Sequence, residues 1–207
     1  TSVAGYRAAT PPWVTLLDLD DLSRTEGRNW FWKGADCLKP LERICLIHLS
    51  NGGGDAVEIR EYNTQTRSFV PGGFRFAEGK QSVDWVDANT LVVAREWTPG
   101  EVTDSGYAYV VKLVTRSGEA TEIFRGQKSD VSSSASVLHG KAGAVDGLLI
   151  RRGTSFFESE YSLWKAGVIT PIRLPAKAQF EAYTAGRLVF GLKTAWEGFG
   201  AGALIAY

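Results

Sequence analysis

The sequence predicts an all-β chain, a partial β-propeller of about three and a half four-stranded blades behind a short N-terminal lead-in. Three observations carry this reading. Segments at Val57 to Val70, Tyr109 to Arg125 and Tyr161 to Leu174 each pair an apolar strand with a returning strand across a short polar or Gly turn. Their central apolar residues, Ile59, Val111 and Leu163, are spaced by the same 52 residues (111 minus 59, 163 minus 111). Between these hairpins a second unit recurs, in which a strand, a polar turn and a strongly apolar strand follow one another. It runs from Ser82 to Ala94 and again from Phe180 to Gly191. A middle copy, Ser134 to Arg151, is lengthened by the Gly-rich stretch His139 to Gly147, and insertions at turns cost little because closure entropy grows slowly with loop length.

Taken in order, residues 1–28 form the lead-in and residues 29–207 an incomplete propeller domain. In the lead-in, Thr15 to Leu22 lacks β-branched alternation and spaces Leu at helical intervals, which suits a short helix or an extended lead-in. The blades span about 29–70, 82–125, 131–174 and 179–207. Asn51-Gly-Gly-Gly-Asp55 is Gly-rich but no helix signal follows it, so it reads as a hairpin loop and not a phosphate cradle. Tight turns fall at Asn63 to Thr66, Arg116 to Gly118 and Ala166 to Gly167. The fourth blade stops at Gly202 to Tyr207, the start of its third strand. A β-sandwich or an open meander predicts no common hairpin offset.

Composition excludes several function classes. Lys plus Arg and Asp plus Glu are both 23, with signs mixed along the chain, which leaves no footprint for nucleic acid or an anionic membrane. Aromatic and basic residues interleave at Tyr107 to Lys112 and Tyr161 to Lys165, but strand alternation explains both. No apolar run approaches the ~18 residues of a membrane span, and a soluble protein is expected. The chain begins at Thr1 and has no Met, so the natural N-terminus is expected to be absent. Cys37 and Cys45 could meet across a strand pair, yet two cysteines in so long a chain are no disulfide framework, and the balance is against a bond. The compartment stays open between cytoplasm and periplasm, with the cytoplasm favoured.

Catalytic chemistry is missing from the pattern. No Gly-x-Ser-x-Gly elbow occurs, and the two histidines read as a strand residue, His48, and a solvated turn residue, His139. His48, His139, Cys37 and Cys45 lack zinc-type spacing. Asp18, Asp20 and Asp21 lack the central Gly and closing Glu of a calcium loop and read as a solvated helix face. No catalytic, metal or cofactor-binding residue is assigned, and no cofactor is expected. Seven Trp residues, at 13, 30, 32, 85, 97, 164 and 196, favour blade-to-blade packing over an aromatic groove for sugar or peptide.

The segment from Ser50 through Asn51-Gly-Gly-Gly-Asp55 to Thr66, followed by Ser82 to Ala94, resembles the first propeller blades of the prolyl oligopeptidase family of serine peptidases. The lead-in agrees, with Trp13 to Leu22 and then Asn29-Trp-Phe-Trp-Lys-Gly-Ala-Asp36. The resemblance covers about residues 11–125, and the remainder only as blade rhythm. It implies a seven-bladed propeller capping an α/β-hydrolase domain that holds a Ser-Asp-His triad and cleaves short peptides after proline. None of those catalytic residues maps onto this chain. It is therefore expected to be an N-terminal fragment, inactive alone, that filters short peptide substrates for a missing α/β-hydrolase domain. The open blade edges would also allow two copies to pair as a homodimer, since twice three and a half blades approaches seven. The alternative is a stand-alone binding or scaffold module for a peptide or glycan.

Overall fold

The computed structural model describes residues 3–8 and 13–207. A short helix α1 (Val3–Arg7) and the helix α2 (Leu19–Glu26) precede the strands. The first sheet holds β1 (Trp30–Cys37), β2 (Ile44–Asn51), β3 (Val57–Asn63), β4 (Ser68–Phe69) and β5 (Arg75–Gly79). A second sheet holds β6 (Ser82–Asp87), β7 (Thr90–Ala94), β8 (Val110–Thr115) and β9 (Ala120–Arg125). The third holds β10 (Ser132–His139), β11 (Val145–Gly153), β12 (Ser159–Lys165) and β13 (Val168–Ile172). The last has β14 (Gln179–Thr184), β15 (Arg187–Gly191) and β16 (Leu204–Ala206). Every sheet is antiparallel and runs in chain order, save that β5 returns to pair with β3, and the first strands of the first three sheets touch one another, β1 with β6 and β6 with β10, which puts them innermost. This is the partial propeller that the 52-residue offset predicts.

Strand alternation sends one face of each sheet toward the next. Ile59, Leu46 and Phe76 of the first sheet pack on Trp85, Leu91 and Val93 of the second. Val92 and Val111 meet Ala135, Val137 and Ile150, and Leu149 and Tyr161 meet Leu188 and Phe190. The residues that defined the repeat, Ile59, Val111 and Leu163, each face the following sheet. Burial of whole sheet faces at these junctions, at about 25 cal/mol per Å² of apolar surface, is the main force holding the array.

The lead-in covers the opposite face of the first sheet. Leu17, Leu19 and Leu22 pack on Trp30, Ile47, Leu49 and Tyr62. Helix α2 starts later than the Leu spacing suggests because Asp18 is its N-cap and accepts from the Asp21 backbone N–H at 2.9 Å. It ends at Gly27, whose φ of 63° is left-handed and whose N–H bonds the Ser23 carbonyl. An Arg60 fork then holds Glu26 of the helix at 2.6 and 2.9 Å and Glu58 at 2.8 Å, with its plane over the Trp30 and Phe69 rings. With α2 on one side and the second sheet on the other, β3 is buried along most of its length although its sequence carries Glu58, Arg60 and Glu61.

Three details depart from the sequence reading. Strand β5, which pairs with β3, extends the first sheet past Val70. Cys37 and Cys45 are direct cross-strand partners in β1 and β2 and form a disulfide, against expectation. Cysteine count could not reveal this, because the pairing depends on a hairpin register. His139 is no solvated turn residue: it ends β10, half-buried, and only residues 140–144 separate it from β11. The Gly-rich stretch is therefore a five-residue connection, 140–144, flanked by strand at both ends.

Candidate functional site

The innermost strands build the most polar enclosed surface. The disulfide fixes β1 against β2 so that Gly34 lies opposite His48, and Asp36, two residues on, shares its face. His48 Nε2 lies 2.8 Å from Asp36 Oδ2. From the second sheet, the buried Trp85 donates its Nε1–H to the Asp36 carbonyl at 2.9 Å. Its neighbour Asp84 accepts the Trp85 backbone N–H at 2.8 Å and, across the next junction, the Val137 backbone N–H of β10 at 2.8 Å. Asp36, Trp85, Asp84 and Val137 thus stitch three inner strands together.

A cavity of about 410 Å³ opens beside this seam, bounded by Asp36, Lys39, Glu42, Asp84, Val137 and His139. Burial pushes the Asp84 carboxyl above the usual carboxylate range, against the two backbone donors that favour its ionised form; Asp36 adds to the rise and His139 opposes it. His139 Nδ1 is buried without a hydrogen-bond partner. Carboxylates and imidazoles of this kind suit hydrogen bonding to peptide N–H groups.

The structure gathers His48 and His139, which the sequence reading treated apart, around two acids that it passed over. Asp84 had a signal, as an acid set among Val83, Trp85 and Val86 of a strongly apolar unit. Asp36 had none. Asp18, Asp20 and Asp21 sit at the start of α2, where the helix dipole favours negative charge. The Asn51 to Asp55 stretch connects β2 to β3 as a loop, and Asp55 accepts the Tyr107 hydroxyl at 2.9 Å. Trp30 and Trp85 are buried, Trp97 and Trp164 pack at junctions, and Trp13 and Trp32 are exposed. Among the described residues no group of three or more His, Cys, Asp or Glu is arranged to hold a metal ion.

Comparison with known proteins places this geometry. The chain is 45% identical over 225 residues to an uncharacterized peptidase of Sinorhizobium fredii (strain NBRC 101917 / NGR234), a match spanning 100% of the chain and 30% of that peptidase. An uncharacterized peptidase of Rickettsia prowazekii (strain Madrid E) is 25% identical, matched over 100% of the chain and 31% of its own length. The chain thus spans about a third of the relatives it matches. A solved post-proline cleaving enzyme from Rickettsia typhi superposes with a TM-score of 0.91 at 23% identity, covering 100% of this chain and 33% of that one. A structure from a study of two prolyl endopeptidases gives a TM-score of 0.67 at 12% identity over 84% of this chain and 26% of its own. At such identities these two likenesses speak for fold alone. The family model described as "Prolyl oligopeptidase, N-terminal beta-propeller domain" matches residues 2–140, and the chain belongs to that family.

Proposed function

We propose that this chain is the substrate-gating part of a serine peptidase that cleaves short peptides after proline, with the chemistry supplied by an α/β-hydrolase domain outside these residues. The family membership supports the peptidase reading. The observation that carries the gating role is the inner-strand seam, whose cavity of about 410 Å³ has room for an extended peptide segment and none for a folded domain. The blades, the first of them carried on from 29–70 to Gly79 by β5 and the others 82–125, 131–174 and 179–207, are the units of the gate. A peptide passing the inner strands meets Asp36 and Asp84, which accept hydrogen bonds from its backbone, while the β-sheets behind hold the opening rigid.

The test is hydrolysis by the full-length protein of one proline-containing sequence presented as a short peptide and within a loop of a folded protein. Cleavage of the peptide with at least a hundredfold higher kcat/KM is expected. Equal values refute gating, and failure to cleave either refutes the peptidase reading. Pairing of two copies into a closed ring would have to displace α2 from the outer face of the first sheet; light scattering that shows only monomer removes that arrangement.

A further inference from the structure

The junction between the third and fourth sheets holds a second cleft, of about 300 Å³, at the opposite end of the inner strands from the Asp36 and His139 seam. Ser134, Arg151 and Tyr161 stand in register across β10, β11 and β12 on the face that looks toward the fourth sheet. Deeper along that face Leu138, Leu149, Ile172 and Phe190 close the junction. At its rim they give way to Ser134, Ser136 and Arg151, and the sheets part. The β11 to β12 loop adds Phe156 and Phe157, 82% and 74% exposed and stacked edge to face at 4.9 Å. Glu181, displaced by the register shift in β14, lines the other side.

Arg151 differs from four other strand arginines, which are neutralised: Arg60 with Glu26 and Glu58, Arg75 with Glu58, Arg125 with Glu101 and Glu122, and Arg152 with Asp130 and Glu160. Arg151 adjoins Arg152 but points to the other face, and among the described residues no carboxylate forms an ion pair with it. An unpaired guanidinium beside two hydroxyls is a receptor for a carboxylate or phosphate, which it binds through two parallel hydrogen bonds. Two features choose between these anions. Glu181 repels a second negative charge, which disfavours a phosphate dianion. The exposed Phe pair offers an apolar wall beside the guanidinium, and such solvent-facing aromatics in a cleft are anchors for an apolar side chain.

We propose that this cleft binds the C-terminal residue of a peptide, with the terminal carboxylate on Arg151 and the hydroxyls of Ser134 and Ser136, and an apolar side chain against Phe156 and Phe157. The site stands on its own geometry and does not depend on the gating reading.

Binding of N-acetyl-L-phenylalanine to the full-length protein, followed by ligand-observed NMR, tests it. N-acetyl-L-phenylalaninamide should bind at least tenfold more weakly, about the worth of a hydrogen bond to a charged group. R151A should weaken the acid tenfold or more and leave the amide unchanged, while R151K recovers part of the loss. F156S should weaken acid and amide alike. Arg151 and Phe156 are exposed, so these variants should fold. Equal binding of acid and amide, or a change under threefold in R151A, overturns the site. Tighter binding of phenyl phosphate, or of N-acetyl-aspartyl-phenylalaninamide with its side-chain carboxylate, overturns the assignment to a peptide C-terminus.

Discussion

Replacing Arg60 with Met should loosen the lead-in from the first sheet. Arg60 is 10% exposed and bridges Glu58, 8% exposed, to Glu26, 30% exposed. Removing one partner of a buried ion pair costs about 3–5 kcal/mol, because the surviving charge is left without compensation. Here Arg75 still reaches Glu58 at 2.7 Å and Met fills the volume between the Trp30 and Phe69 rings, so the lower end applies, about 3 kcal/mol. At 1.4 kcal/mol per decade this is a factor of about 150 in local opening. Native-state hydrogen exchange of amides in α2 and β1 to β3 reads it directly.

The effect depends on pH in a fixed direction. The Arg60 hydrogen bond, aided by Trp30, outweighs burial and holds the Glu26 carboxyl below its usual range. Burial alone would raise Glu58, but the hydrogen bonds and charges of Arg60 and Arg75 leave it lowered too. Both carboxylates therefore contribute stability above the ordinary Glu range that is lost as pH falls through their lowered values. The gap between wild type and R60M should accordingly be full near neutrality and close in acid. Adding E58Q should restore part of the loss, since the more deeply buried of the two carboxylates that Arg60 served is then uncharged. A change under fivefold in exchange at neutral pH, or a gap that widens in acid, would refute the reasoning.

Three further outcomes follow from the same structure. Reduction of the Cys37–Cys45 disulfide, which closes a separation of 8 residues, should cost about 2.5 kcal/mol on the chain-entropy estimate. The loss should appear as faster exchange at the Leu38 and Glu42 amides that bond across the turn, and unchanged exchange there would exclude it. Phe190→Ala removes a fully buried ring stacked on Tyr161 and Phe180 and should destabilise the third junction by about 3–5 kcal/mol, whereas the exposed Phe156→Ala should change stability by under about 0.5; denaturant unfolding separates the two. Because the Asp84 carboxyl is raised, its contribution is present at low pH and lost as pH rises through the raised value, so D84N should gain thermal stability relative to wild type between acid and neutral pH. A relative loss over that interval would contradict the burial argument.

The repeat is written in local sequence pattern alone. A period of two along each strand fixes which face is apolar, and the 52-residue spacing of Ile59, Val111 and Leu163 fixes how often that face recurs. Both are local regularities, so sheet number, strand order and the lead-in were legible before any coordinates. The seam and the cleft were not, because each is assembled from residues far apart in the chain whose meeting depends on register and on sheet-to-sheet packing. Asp36 and His48 meet only once the β1 to β2 register is set, and Asp84 reaches Val137 only across a junction. The charges of β3 are buried for the same reason, since α2 and the second sheet enclose that strand from both sides. Arg151 and Arg152 are neighbours in sequence with nothing to tell them apart. Strand alternation sends one to Asp130 and the other into an open cleft, and only the packing of the fourth sheet decides which is left free.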